Sequence, residues 1–350
     1  MWIALCVILV FSLVVVIHEL GHFLVCKWLG VRVEKFAVGF GKELFGFEWK
    51  GTRWSFCLLP LGGYVKPAGE ELEETTGAPD EFFGQTWYRR IAIALAGPVM
   101  NYVLAFTCFF LLVFFWGQPH PSNQPVIGEV VTGYPAQTAG LEKGDKILAI
   151  NGKQVGTWEE AAKIIHLNPE KPIDMLVQRV VEGNSLNKIA AVVPKKDLQR
   201  EIGVIGISPL VEMQKLGVLA SIENASQQTV FWTVLTLKYL GDAIVQRKKP
   251  ELAGPIGIVS IVAKVSKQGF QEMVGLIALI SLSLGLFNFF PIPLLDGGHV
   301  FLYLLEGIFR KPLNKTVVRT ANIIGASFLL AIFIFATSQD ISRLNLPFWK

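Results

Sequence analysis

Four stretches of the chain are largely apolar for twenty residues or more, at about 2–26, 91–116, 273–309 and 317–337. Each is long enough to cross a hydrocarbon core of about 30 Å as a helix. A fifth apolar stretch, 229–245, is short and carries Lys238 and Asp242. It reads as an interfacial or cavity-flanking helix rather than a span. The third stretch is too long for one helix and is interrupted by Pro291, Pro293, Gly297 and Gly298. Irregular backbone at membrane depth survives only where it packs in protein or lines a cavity. This segment therefore predicts a broken helix beside a site.

Between the first two apolar stretches the pattern changes period. Residues 32–38, 44–49 and 54–59 are short β-branched and aromatic runs, separated by Gly39, Gly41, Gly51 and Gly62-Gly63. They predict strands. Residues 70–81 are acidic and polar and read as an exposed loop. A soluble domain is predicted over 124–210. It has strands at 126–131, 147–150, 173–181 and 189–193, a helix at 158–165, and turns at Asn151-Gly152 and Glu182-Gly183-Asn184. Asp145 and Asn151 read there as turn residues rather than catalytic ones.

The expected organisation follows. Residues 1–28 form a transmembrane helix, 29–90 a cytoplasmic-side β region with an acidic loop, and 91–117 a second transmembrane helix. Residues 124–210 form the soluble domain, and 211–268 a linker with the interfacial helix. Residues 270–309 are the broken third span, 317–338 the fourth, and 339–350 a tail. The fold class is a polytopic α-helical membrane protein with a membrane-associated β region and one α+β domain.

Charge orients the chain. Lys27, Arg32 and Lys35 follow the first span, and Arg89-Arg90 precede the second. Arg310, Lys311, Lys315 and Arg319 join the third and fourth with no acid among them. Both loops belong inside by the positive-inside rule. The soluble domain and both termini then lie outside the cytoplasm. The composition, 52% hydrophobic and 17% charged with a net charge of +4, suits a lipid-embedded chain and gives no sign of a nucleic-acid partner. Cys6, Cys26, Cys57 and Cys108 are scattered and form no C-x-x-C pair, so neither a disulfide framework nor a cysteine metal site is implied. The apolar N-terminus lacks a basic n-region and a small-x-small cleavage site, so it reads as a retained span rather than a signal peptide.

Candidate chemistry sits at the inner end of the first span, in His18-Glu19-Leu20-Gly21-His22. On a helix the two histidines share a face about 6 Å apart along the axis. Both imidazoles can then reach one Zn²⁺ at roughly 2.0–2.1 Å. Glu19 lies beside them and can take a proton from water activated by the metal. A tetrahedral catalytic zinc takes three protein ligands. The broken third span offers Asp296, with His299 as rival ligand or as a supporting polar residue. Asn288 can contact substrate backbone or an oxyanion, or simply cap the helix break.

These strings resemble the site-2 protease family of intramembrane zinc metalloproteases. The matching motifs are the H-E-L-G-H string, Val38-Gly39-Phe40-Gly41, Pro60 through Lys66, Gly97-Pro98-Val99-Met100-Asn101, Gly254-Pro255-Ile256-Gly257, and Asn288 through His299. The resemblance implies His18, His22 and Asp296 as zinc ligands and Glu19 as the catalytic acid and base. It implies substrate contacts from Asn288, Pro291, Gly62, Gly63 and Asn101. Within 124–210, Ala139-Gly140-Leu141, Gly144-Asp145 and Ile150-Asn151-Gly152 resemble a PDZ domain, with Ile205-Gly206-Ile207 as its peptide loop. The best-known relatives of this topology carry two such domains, and one is found here.

The resemblance further implies single-pass membrane substrates, such as anti-sigma factors and signal-peptide remnants, first trimmed outside by a site-1 protease. Cleavage then occurs in or beside the lipid bilayer. A competing expectation from a different class is a non-catalytic PDZ-containing membrane scaffold with a structural zinc. The presence of Glu19 disfavours it, because a structural site needs no general base.

Overall fold

The structure is a computed structural model that describes residues 2–71, 75–181, 184–197, 201–246, 253–311 and 314–343. Acidic-loop residues 72–74, the turn residues Glu182 and Gly183, residues 198–200 and 247–252, loop residues 312–313 and tail residues 344–350 lie outside that description. The chain opens with α1 (Trp2–Trp28), β1 (Val33–Trp49), β2 (Thr52–Pro67) and α2 (Trp87–Trp116). It continues through β3 (Gln118–Pro121), β4 (Ile127–Val130), α3 (Pro135–Thr138), β5 (Lys146–Ile150), β6 (Lys153–Gln154), α4 (Trp158–His166), β7 (Ile173–Val181) and β8 (Asn184–Val192). After β9 (Lys195–Lys196), β10 (Gly203–Val204), β11 (Ile207–Pro209) and β12 (Val211–Gln214) it closes with α5 (Val218–Val245), α6 (Pro255–Val265), α7 (Phe270–Asn288), α8 (Asp296–Phe309) and α9 (Lys315–Arg343). Two compact units result: residues 1–115 with 217–350, and residues 116–216.

In the first unit α1, α2, α7 and α9 are long and apolar enough to cross a membrane. Their lengths of 19 to 30 residues give about 28–45 Å at 1.5 Å per residue. The stretch read as a short helix at 229–245 is part of a longer one, α5, which begins at Val218. Its Ala225 packs into a core with Ala105, Phe109, Ala278 and Leu282. The small Ala side chains let α2, α5 and α7 approach closely where no hydrophobic driving force separates helix from lipid. The region read as a linker is mostly helical, since α6 follows α5. The first turn of α6 is held by Asp340 of α9, which accepts from Gly254 N–H at 3.1 Å and Gly257 N–H at 2.8 Å. An acid buried on an apolar helix is satisfied there by the free donors of a helix start.

The three short runs predicted as strands form two long ones. Their register folds back on itself. Phe36 pairs with both Trp54 and Val65, and Trp54 pairs in turn with Phe47. In space the order is therefore 45–49, 52–57, 35–38 and 63–67, so the last segment is an edge. It lies along α1. Ser12 of α1 donates to the Pro60 carbonyl, which ties the strand to the helix.

The 70–81 stretch is not simply an exposed loop. Glu81 is 6% exposed and accepts from Thr75 Oγ1, Thr76 N–H and Oγ1, and Gly77 N–H at 2.8–3.0 Å. Four donors on one carboxylate fold residues 75–77 back onto Glu81. The hydroxyl of Thr76 leads in holding the Glu81 carboxyl down at about 2. Phe82, next in sequence, packs with Cys26, Val33, Ile93 and Tyr303, the cluster where α1, β1, α2 and α8 meet.

In the second unit a four-stranded antiparallel sheet runs β6-β5-β7-β8, beside the pairs β11-β4, β12-β3 and β10-β9. Its core holds Ile127, Ile147, Ile150, Ile173, Met175, Val177 and Ile205. Asp145 is fully buried and pairs with Arg179 through bonds of 2.7 and 2.8 Å, while also accepting Glu142 N–H. Burial, the largest single influence, would raise its carboxyl; the Arg179 hydrogen bonds and charge, with the Glu142 N–H and the Lys188 charge, together hold it below the usual range. Asn151 takes the left-handed turn conformation at φ 49° and accepts Asp174 N–H. Both are structural, as turn chemistry demands.

Candidate active site

The helical spacing of His18 and His22 places both imidazoles on the α1 face that meets α2 and α8. Their Nε2 atoms lie 3.2 Å apart. Asp296 brings Oδ2 to 3.1 Å from His18 Nε2 and Oδ1 to 3.6 Å from His22 Nε2. These three are the only group of its kind among the described residues, with ligand atoms all within 4.8 Å of one another. A tetrahedral ion bound at roughly 2.0–2.1 Å needs donors about 3.3 Å apart, so the trio fits zinc. The buried Asp296 Oδ2 has no hydrogen-bond partner among the described residues. An acid so placed calls for a cation.

Each ligand is aimed by what stands behind it. His22 Nδ1 meets the Ile93 carbonyl at 2.8 Å. A carbonyl only accepts, so Nδ1 carries the hydrogen and Nε2 keeps its lone pair for the site. On α2, a Cβ at Gly97 would fall 2.3 Å from His22 Nε2 and 2.7 Å from His18 Nε2. Only glycine lets that helix pass so close to the rings. Asp296 opens α8, and the break before it folds back over the helix start. A Cβ at Gly297 would lie 2.4 Å from Phe290 O, and one at Gly298 2.2 Å from Ile292 O. The Asp296-Gly297-Gly298 string thus joins a ligand to the two positions that permit the tight return.

Glu19 turns toward the sheet edge, where its Oε2 accepts Val65 N–H at 3.1 Å. A cavity of about 670 Å³ is lined by His18, Glu19, His22, Val65, Asn288 and Asp296, among others. Metal donors, the Glu19 carboxylate beside them and a strand edge therefore share one space.

Residues 6–332 match Peptidase family M50. Among similar proteins, Putative zinc metalloprotease Atu1380 of Agrobacterium fabrum is 34% identical over 96% of this chain and 95% of its own. Putative zinc metalloprotease Cj1068 of Campylobacter jejuni is 35% identical over 97% and 93%. Zinc metalloprotease RasP of Geobacillus kaustophilus is 29% identical over 97% of each. The chain belongs to peptidase family M50. It is a zinc-dependent metalloprotease of that family, with four helices of membrane-crossing length. Family M50 membership favours the enzyme over the scaffold.

The other residues singled out from the sequence of this M50 chain fall in different places. Asn288 ends α7 and lines the cavity. His299 also lines it, outside the metal trio, with its ring stacked on Tyr303 at 6.2 Å. Pro291 lies in the break with its side chain exposed. Gly62 and Gly63 sit on β2 against Val15 and Val16 of α1. Asn101 is fully enclosed behind His18. Ile205, Gly206 and Ile207 belong to the second unit. There Val131 N–H and Ala136 N–H bind the Gly206 and Ile205 carbonyls, and Ile207 pairs with Val130.

Two features had no separate signal in the sequence. One is the contact of Val65 N–H with Glu19. The other is a buried ion pair between Arg90 at the start of α2 and Glu306 of α8, with the Arg90 guanidinium over the rings of Phe83 and Tyr303. Arg89-Arg90 read as a cytoplasmic-side charge, yet Arg90 is a brace between the helices that carry the histidine backing and Asp296.

Proposed function

We propose that this M50 peptidase cleaves single-pass membrane proteins within or beside the bilayer, after another protease has trimmed them outside. In this reading His18, His22 and Asp296 hold zinc, and Glu19 is the general base and acid. The observation that carries it is the convergence of three metal donors, a carboxylate outside that trio and a strand edge in one cavity framed by apolar helices.

Bound zinc supplies Lewis acidity toward the scissile carbonyl and toward water. Glu19 takes a proton from the attacking water and returns it to the departing amine. In this reading the side-chain amide of Asn288, which lines the cavity, donates to a substrate carbonyl. A helical peptide bond is shielded by its own hydrogen bonds, so the substrate must unwind before attack. Pairing with the 63–67 edge compensates the freed N–H and C=O groups. Gly62 and Gly63 shape that edge, and Pro291 with the helix break forms part of the substrate's surroundings.

The substrate class we favour is that of anti-sigma factors and signal-peptide remnants, in a bacterial cytoplasmic membrane. The loop at 310–319 faces the cytoplasm, and both termini and the second unit lie outside it. The second unit is a PDZ domain whose Ile205-Gly206-Ile207 loop receives a peptide end by strand addition. Among the described residues β11 pairs with β4 alone, which leaves an edge for this. The decisive experiment compares wild type with Glu19→Gln for zinc content and for cleavage of a trimmed single-pass substrate. The variant keeps zinc and loses at least about 100-fold in cleavage. Full cleavage by Glu19→Gln would end the proteolytic mechanism.

A further inference from the structure

Asn101 is 0% exposed, so no substrate reaches it. It stands one helical turn beyond Gly97 on α2, on the same face, and its amide meets His18 Nδ1 at 3.1 Å. Its main-chain carbonyl accepts from the equally buried Ser281 Oγ of α7 at 2.9 Å, which pins this turn in place. The amide places Nδ2 toward the ring, and its Oδ1 is buried with no partner among the described residues.

That orientation has a chemical consequence. With Nδ2 donating, His18 Nδ1 must accept, and the neutral ring then carries its hydrogen on Nε2. The hydrogen would point into the space shared with His22 Nε2 and Asp296 Oδ2, where a metal needs a lone pair. Amide nitrogen and oxygen are nearly equal in size, so the opposite orientation occupies the same volume. It puts Oδ1 on a His18 Nδ1–H and turns the Nε2 lone pair inward. The exchange adds no hydrogen bond in sum. The ring decides it, because only this arrangement gives His18 the tautomer that the Ile93 carbonyl imposes on His22.

We propose that Asn101 is a positioning residue of the metal site: its Oδ1 accepts the Nδ1–H of His18 and so sets the tautomer and ring plane with which His18 meets zinc. The proposal rests on the ligand assignment made above. It also accounts for the spacing of the Gly97-Pro98-Val99-Met100-Asn101 string, in which glycine admits the helix to the rings and asparagine, four residues on, holds one of them.

The test uses the purified full chain in detergent. Zinc affinity is read by competition with a chelator, and ligand geometry from the visible spectrum of the Co²⁺-substituted protein. Asn101→Ala lowers zinc affinity about 10–100-fold and alters the cobalt bands. Asn101→Asp, whose ionised carboxylate only accepts, binds zinc close to wild type with an unchanged spectrum. Unchanged affinity and spectrum in Asn101→Ala would overturn the proposal. So would an Asn101→Asp protein that is folded yet has lost zinc. Where Asn101→Ala does not fold, Asn101→Asp alone decides by the same criterion. A wild-type protein that binds no zinc would overturn the ligand assignment itself, and this proposal with it.

Discussion

Val65 hands its main-chain N–H to the carboxylate of Glu19, across 3.1 Å, from the edge of a sheet to a helix that also carries His18 and His22. The contact orients the one carboxylate of the histidine motif and marks where the 63–67 edge faces the cavity. A strand's amides alternate in direction, so the donor that meets Glu19 is not one that holds the sheet together. Proline at this position removes one outward donor without breaking the ladder to β1. Val65→Pro keeps its zinc and loses about tenfold in cleavage, the worth of roughly one charge-assisted hydrogen bond. Full cleavage in that variant, measured on a trimmed substrate, would reduce the edge to a brace.

Asp296 and His299 separate in a metal assay. Asp296 reaches both imidazoles, whereas His299 stacks on Tyr303 outside the trio. Asp296→Ala loses more zinc affinity than the roughly 10–100-fold that removal of an outer partner costs, and His299→Ala stays within that range. The reverse order, read by chelator competition, would reassign the third ligand.

The fold of the 75–81 segment depends on acid. Glu81 has its carboxyl held at about 2, first by the Thr76 hydroxyl, against an ordinary value of 4.5. A depressed carboxyl stabilises above its unfolded value and loses that contribution as pH falls through the folded one. The segment is therefore expected to be closed from neutral pH down to about 4.5 and to open between there and about 2. Amide hydrogen exchange at Thr76 and Gly77 reports it, and Glu81→Gln removes the dependence. Exchange in the wild type that is flat across this window would show that Glu81 does not hold the segment.

The orientation of the chain is tested by labelling. Asn314 precedes α9 in the basic stretch between α8 and α9. Asn314→Cys in an otherwise cysteine-free chain stays protected from an impermeant thiol reagent in intact cells and reacts after permeabilisation. Labelling in intact cells would place this loop outside and invert the proposed topology.

What could be read from the sequence was local. Hydrophobic length announced the spans, and Pro291, Pro293, Gly297 and Gly298 announced the break between α7 and α8, because each follows from the backbone's own needs. The histidine pair was legible because a helix turns a spacing of four into one face. The β7 boundaries follow directly from the alternation at 173–181. The sequence carried no geometric rule that would bring Asp296 to the imidazoles, Val65 to Glu19, or Arg90 to Glu306. Those meetings join segments far apart in the chain, and they depend on how closely helices pack rather than on any one segment's propensity. The limit is one of geometry as well as of distance along the chain: the donors to Glu81 lie only four to six residues before it, yet that stretch looks solvated until the fold turns them onto one carboxylate. Asn101 shows it most sharply, since only the tertiary structure puts a sealed amide against His18 and makes its orientation matter to a metal.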